Sequence, residues 1–202
     1  MSDEARTNAI TPEAILSYPQ LHEAKEDDRG KLKYGCALVM LEDADLSALE
    51  AAAIAAATKK FGATISVPGG KKIPVAQAFT AGVLRSPFRT DAVAKGYPEG
   101  STFINVKTER RPSVVYPWID PATGKPAVMP PENVAEELYP GAIIRASVNA
   151  FGYDYQGNKG VSFALNNIQF IRAGERLDNR MAATDEFDVL SEEPADISDM
   201  LD

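Results

Sequence analysis

The chain has one cysteine, one histidine and one tryptophan in 202 residues. Cys36 alone cannot close an intrachain disulfide, so packing must hold the fold and a reducing cytosol is the expected setting. With His22 the only imidazole, a four-ligand Cys/His zinc site is excluded. His22 also stands in a polar stretch with no nucleophile signature beside it, which makes it a poor catalytic candidate. Long hydrophobic runs are missing as well. The longest, AAAIAAA at 51–57, is far too short to span a bilayer, and the polar, acidic start MSDEARTNAI is unlike a signal peptide. These absences predict a soluble intracellular protein with no membrane partner.

The last 18 residues lack any base. DEFDVLSEEPADISDMLD, Asp185 to Asp202, holds eight acids. Of the 29 Asp+Glu in the chain, 29 − 8 = 21 lie before Asp185, matching all 21 Lys+Arg. The body is therefore neutral, and the tail alone sets the net charge of −8. A low isoelectric point ordinarily argues against a polyanionic partner; segregated charge removes that argument. The tail has too little apolar content to pack and is expected to be disordered.

Apolar residues make up 45% of the chain, enough for a core, and the length suits one domain with insertions and tails. Residues 1–30 read as a polar N-terminal arm, 31–178 as the folded domain and 179–202 as the acidic tail. KYGCALVML (33–41) predicts a central strand, apolar on both faces. DLSALEAAAIAAATKKFG (45–62) predicts a helix. Asp45 is its candidate N-cap, Lys59 and Lys60 suit its C-terminal dipole, and Gly62 closes it. From 63 to 131 the chain is irregular, with short strands at TFINVK (102–107) and SVVYPW (113–118). GAIIRASVNAFGYDY (141–155), QGNKG (156–160) and VSFALNNIQFIR (161–172) form the clearest signal, a long β-hairpin. The class is mainly β: a small barrel with loop insertions around one helix.

Parity along 141–155 separates two faces. Ala142, Ile144, Ala146, Val148 and Ala150 form a small apolar core face. Arg145, Ser147, Asn149, Phe151, Tyr153 and Tyr155 form the other. In FINVK, Ile104 and Val106 face one way while Phe103, Asn105 and Lys107 face the other. Rings interleaved with cations on a sheet face are what single-stranded nucleic acid requires. Bases stack on the rings, and Lys or Arg follow the phosphates. The competing explanation is that these rings fill a second small core under the long loops. Charge favours the first. Between Lys59 and Trp118 there are ten bases (Lys59, Lys60, Lys71, Lys72, Arg85, Arg89, Lys95, Lys107, Arg110, Arg111) and three acids (Asp91, Glu99, Glu109), a local excess of +7. The competing explanation for that excess is pairing with acids elsewhere.

The candidate ssDNA-binding set is therefore Arg145, Phe151, Tyr153, Tyr155 and Lys159 from the hairpin, with Phe103, Lys107, Arg110, Arg111, Tyr116 and Trp118. Lys71, Lys72, Arg85 and Arg89 would add phosphate contacts from loops. Enzymatic motifs fare worse. PGGKK (68–72) fails the phosphate-loop pattern, since Ile65 stands at its first Gly and Lys72 at its Ser/Thr. Cys36 lies in an apolar strand, and Glu42, Asp43 and Asp45 are explained by capping and solvation. No catalytic, metal or cofactor site is expected.

ELYPGAIIRASVNAFGYDYQGNKGVSFALNNIQFIRAGERL, followed by the acidic tail, resembles the phage-encoded single-stranded DNA-binding proteins of OB-fold type. The resemblance spans roughly 30–202 and is densest in 138–177, carried by Tyr-Pro-Gly, NKGV and the tail together. It implies an OB-like five-stranded barrel with one packed helix, long loop insertions and a disordered acidic C-terminus. It further implies a protein that coats ssDNA during phage DNA replication, recombination and repair in the cytoplasm of a bacterial host. The tail would compete with DNA for the cleft and recruit polymerase, helicase or primase. Its acids Asp185, Glu186, Asp188, Glu192, Glu193, Asp196, Asp199 and Asp202, with Phe187, Met200 and Leu201, are the partner-binding candidates. The tail ends in DMLD rather than an aromatic residue, and a helix directly after the first strand departs from the usual OB order. A homodimer is left open. Two other classes compete with this reading: a metal-dependent nuclease or ligase fragment, and a virion component or decoy acting wholly through its tail.

Overall fold

Alternation in the long hairpin decides the architecture. In the computed structural model, which describes residues 6–27 and 30–177, ten strands and two helices form in chain order. β1 is Asn8–Ile10, β2 Ala14–Glu26, β3 Leu32–Met40, α1 Ser47–Phe61, β4 Thr64–Ser66 and β5 Lys72–Pro74. β6 Thr102–Thr108, β7 Ser113–Ile119, β8 Pro126–Val128, α2 Val134–Glu137, β9 Ile143–Tyr155 and β10 Asn158–Arg172 follow. β9 and β10 pair antiparallel from Tyr155↔Asn158 to Ile143↔Arg172. Their turn is Gln156-Gly157, both residues left-handed (φ 50° and 80°), the two-residue geometry whose twist matches the flanking strands. Every residue of the expected core face, Ala142 to Ala150, is buried.

β9 also pairs with β2, β2 with β3, β3 with β6, and β6 runs parallel to β10, which returns to β9. Five strands thus close a ring in the order β2-β3-β6-β10-β9, the OB-like arrangement. Leu16, Leu38, Met40, Ile104, Val106, Ile144, Val148 and Leu165 fill it. β1 adds to β9, and β7 and β8 extend the sheet beyond β10.

The sequence start, expected to be a polar arm over 1–30, instead supplies β1 and the first ring strand, β2. Its alternation is hidden for a physical reason. Tyr18 adopts a left-handed backbone (φ 45°) ahead of Pro19, and the register shifts between Ser17 and Gln20. Beyond the buried Leu21 the strand is mostly exposed and its residues polar. The strand preceding α1 is accordingly the second of the ring, not the first. The expected tail, 179–202, lies outside the described residues.

α1 forms where the Ala-rich run predicts it. Its N-cap is Leu46, which makes no side-chain cap bond, not the expected Asp45. The Gly62 amide, at the C-cap, donates to Thr58 O at 2.9 Å. Asp45, one residue ahead of the N-cap, accepts a hydrogen bond from Ser47 N–H at 3.0 Å. That contact holds the exposed Asp45 carboxyl below its usual range. The helix presses Leu49, Ala52, Ala53, Ala56 and Ala57 into the main core. The insertion between α1 and β6 carries the small β4–β5 hairpin, then Val75, Ala78 and Leu84 pack into the same core. Among the described residues no helix is long and apolar enough to cross a membrane.

Candidate nucleic-acid interface

The outward face of the ring is built from the positions that alternate with its core. On β3 these are Lys33, Gly35, Ala37 and Val39; across from the last three, β6 offers Lys107, Asn105 and Phe103. On the hairpin Phe151 stands opposite Ser162 and Asn149 opposite Ala164, which in turn pairs with Lys107. Small residues make the floor concave. A Cβ at Gly35 would stand 2.6 Å from the Val106 carbonyl oxygen and 3.0 Å from Lys107 Cγ, so only glycine lets the Lys107 stem lie there. The result is an open cleft of about 520 Å³ lined by Lys33, Asn105, Lys107, Thr108, Glu109, Arg110, Phe151, Ser162, Phe163 and Ala164.

The cleft is cationic. Lys107 and Arg110 make no ion pair among the described residues. Glu109, the one acid in the lining, faces Lys31 at 3.6 Å, and Lys33 meets Asp27 at 2.8 Å. Of the ten bases from Lys59 to Trp118, Arg89 alone has a carboxylate within 4 Å among the described residues. Its guanidinium grips Asp91 through Nε and Nη2 at 3.2 and 3.0 Å, holding that carboxyl below its usual range. Phe151 is 43% exposed, a ring presented to the cleft on a strand paired along its length with β10.

The sequence-derived set is only partly gathered here. Lys107, Arg110 and Phe151 share the cleft. Tyr153 and Tyr155 continue the Phe151 face along the hairpin to its tip, where Arg85 joins them: its amide donates to Lys159 O, and its Nη2 to Asn158 Oδ1 at 3.1 Å. Lys159 itself is paired with Asp154 and so stands on the opposite face of the hairpin from the two tyrosines. Lys159 faces Asp154 at 3.7 Å. Arg145 lies at the other end of the same strand face, its Nε donating to Thr11 O at 3.3 Å, beside a smaller depression formed with Ser147, Asn167 and Gln169. Arg111 ties the end of β6 to β2 by donating to His22 O at 2.6 Å.

Six other candidates, Arg89 among them, stand elsewhere. Phe103 is on the expected face but is buried, covered by the 89–101 loop. Tyr97 meets it edge-on at 5.2 Å, Arg89 sits 5.5 Å from its centroid, and Val39 and Ala92 complete a second small core. Tyr116 is buried on β7, stacked against the exposed Trp118 at 4.2 Å. Its hydroxyl donates to Glu137 Oε1 at 2.5 Å and accepts from Asn133 Nδ2 at 3.3 Å; the Glu137 bond, helped by burial, pushes the phenol up. β7 joins β10 at Asn167–Gln169, past the cleft. Lys71 and Lys72 sit at the β4–β5 hairpin, a separate sheet whose residues do not line the cleft. The tail candidates, Asp185 to Asp202, lie outside the described residues.

Sequence reasoning left Lys33, Ser162 and Ala164 out of the set. Parity could have found Lys33, since it alternates with Cys36, Leu38 and Met40, but the apolar run that follows reads as buried on both sides.

Comparison with known proteins places the fold. The sequence profile of a family described as the ssDNA-binding protein of Enterobacter phage Enc34 matches residues 7–199. Among solved structures, the chain is similar to the single-stranded DNA-binding protein from bacteriophage Enc34 in complex with ssDNA. That match has 18% identity, covers 85% of this chain and 90% of that one, and has a TM-score of 0.62. A second Enc34 structure gives 19% identity, 90% coverage of each chain and 0.58. gp2.5, a single-stranded DNA-binding protein encoded by bacteriophage T7, gives 11%, 93% and 98%, and 0.54. No curated protein matches the sequence. At these identities the structural likeness is one of fold.

Proposed function

The chain belongs to the family of the Enterobacter phage Enc34 ssDNA-binding protein, and on that premise we propose that it is a non-catalytic protein that coats single-stranded DNA without regard to sequence. One observation carries the reading: an exposed ring, Phe151, shares an open sheet-face cleft with Lys107 and Arg110, which have no carboxylate partner among the described residues. The ring accepts the π-face of any base, and the cations accept phosphates. The cleft lies on the second and third ring strands, the surface OB folds use for oligonucleotides. Tyr153, Tyr155 and Arg85 continue that face toward the hairpin tip. A role residing wholly in the tail would leave those cations without a purpose.

The protein acts in phage DNA replication, recombination and repair, in the cytoplasm of a bacterial host. Residues 185–202 supply a tethered polyanion at high effective concentration near the cleft. They compete with ssDNA, and through Phe187, Met200 and Leu201 they engage a polymerase, helicase or primase. Fluorescence anisotropy of a labelled 30-nucleotide oligo-dT tests both parts, with the full chain and a 1–184 truncation at two salt concentrations. Salt-sensitive binding that tightens on truncation is the expected result. No binding by either chain sinks the ssDNA reading; equal affinity of the two at low salt sinks the competition.

A further inference from the structure

Lys59 and Lys60 are explained locally by the helix dipole, which favours cations in the last turn of α1. The dipole does not explain where they sit. A Cβ at Gly152 would stand 2.5 Å from Lys60 Cβ and 2.9 Å from Lys60 Cγ, so the Lys60 stem lies directly on the backbone beside Phe151. Phe151 borders two depressions. One is the cleft; the other, of about 380 Å³, is lined by Thr7, Lys59, Lys60 and Asn149 among others. Lys59 and Thr7 in turn border a third, of about 760 Å³, that adds Arg6 and Thr58. The three adjoin at shared residues, and among the described residues neither of the outer two has an acid in its lining. Lys59, Lys60 and Arg6 are exposed and make no ion pair among the described residues.

We propose that Lys59, Lys60 and Arg6 form a second phosphate-binding lane, which carries the DNA strand out of the cleft, over the β9 edge at Phe151 and along α1. The lane rests on the ssDNA reading above and extends it to residues outside the ring. A strand stacked on Phe151 emerges facing either the hairpin tip or this side, and here it meets three bases with no acid beside them among the described residues. The sheet edge is firm at that point. Ala150 N–H donates to Thr7 O, and Thr7 Oγ1 donates to Asn149 Oδ1, each at 2.8 Å. The lane is therefore preorganised, not assembled on binding.

Its test is length dependence. Lys59→Gln/Lys60→Gln keeps both aliphatic stems, so the Gly152 contact and the fold survive; an unchanged melting temperature checks this. Binding of an 8-nucleotide and a 24-nucleotide oligo-dT is measured from 50 to 200 mM salt. Two lost phosphate contacts reduce the log–log salt slope by about 1.4, so wild type loses roughly sevenfold more affinity than the variant across that range. The expected result is that change on the 24-mer, with 8-mer affinity within about twofold of wild type. Wild-type behaviour of the variant on the 24-mer overturns the lane, as does an equal loss on both lengths, which would put the lysines in the cleft itself. Failure of wild type to bind either oligonucleotide is a different result, which removes the ssDNA reading and the lane together.

Discussion

Truncating one ring separates stacking from charge. Phe151 stands on the outward face of β9 opposite Ser162, 43% exposed, with its backbone paired into the hairpin. Phe151→Ala removes side chain from the cleft without opening the core, so stability should change by no more than about 0.5 kcal/mol. A base stacked on an aromatic side chain contributes about 1–3 kcal/mol. With one face of a half-buried ring available, about 2 kcal/mol is expected, a loss of roughly 30-fold in affinity for oligo-dT. Because stacking displaces no counterions, the salt slope should stay at its wild-type value, whereas Lys107→Gln should reduce it by about 0.7. Trp118→Ala is the matching control. That ring is 53% exposed, but on β7 and stacked on Tyr116, so DNA affinity should hold within about twofold. Anisotropy titrations at several salt concentrations, with thermal melts, decide the matter. A Phe151→Ala protein that melts like wild type and binds within twofold of it refutes the cleft. A Trp118→Ala protein that loses affinity instead would move the DNA path to β7.

Three further outcomes follow from the packing. Burial pushes the Cys36 thiol up to about 12 from 9.0; its contribution to stability is fully present below pH 9 and lost as pH rises through the folded value. At pH 8 a thiol reagent should label the urea-unfolded chain at once and leave the native protein unlabelled, and comparable native labelling would contradict its burial. Gly35→Val drives a side chain onto the Val106 carbonyl and the Lys107 stem, which should cost about 1–3 kcal/mol. In a melt this is a fall of roughly 2–12 °C, accompanied by weaker DNA binding; an unchanged melt would mean β3 and β6 do not approach as described. Tyr116→Phe removes a hydroxyl shared by Glu137 and Asn133, which remain 3.2 Å from each other, so about 1.5 kcal/mol is expected at neutral pH. Because the folded phenol is raised above 10.0, its stabilisation holds below pH 10 and is lost above it. The wild-type melting temperature should therefore drop more steeply than the variant's beyond pH 10.

Legibility in the sequence followed how local each determinant is. The hairpin's two faces are set by strict alternation, so Ala142 to Ala150 and Arg145 to Tyr155 were separable without a structure. α1 was legible because an Ala-rich run between Asp45 and Gly62 needs no distant partner. β2 was not, because its pairing with β3 and β9 is non-local and its own pattern breaks at Tyr18 and Pro19. The cleft shows the same division. Parity placed Phe103, Asn105 and Lys107 on one face, and the structure keeps them there. Parity cannot reveal that Ala92 and Tyr97, from the 89–101 loop, cover the first of the three. Composition likewise marks Tyr116 and Trp118 as aromatic neighbours of a basic stretch, but only strand order shows that β7 follows β10 past the cleft.

The electrostatics of the body carry one further consequence. Before Asp185 there are as many acids as bases, so pairing could in principle neutralise the basic segment. Five ion pairs form among the described residues, and four of them use Lys31, Lys33, Lys159 and Arg172, all outside 59–118. The segment keeps nine of its ten bases without a carboxylate within 4 Å among those residues, Arg89 excepted. Unpaired like charges repel each other, and a polyanion relieves that repulsion more than it would relieve a mixed surface. On the competition proposed above, two polyanions contend for them: ssDNA from solution, and the eight acids of 185–202 on the same chain. In that competition the tail would hold the cleft through charge, and only while screening is weak. Added salt must weaken the tail's hold and the DNA's together. The advantage of the 1–184 truncation over the full chain should therefore be largest at low salt and shrink toward zero as salt rises. An advantage that persists unchanged into high salt would have to come from apolar contacts of Phe187, Met200 or Leu201 rather than from charge.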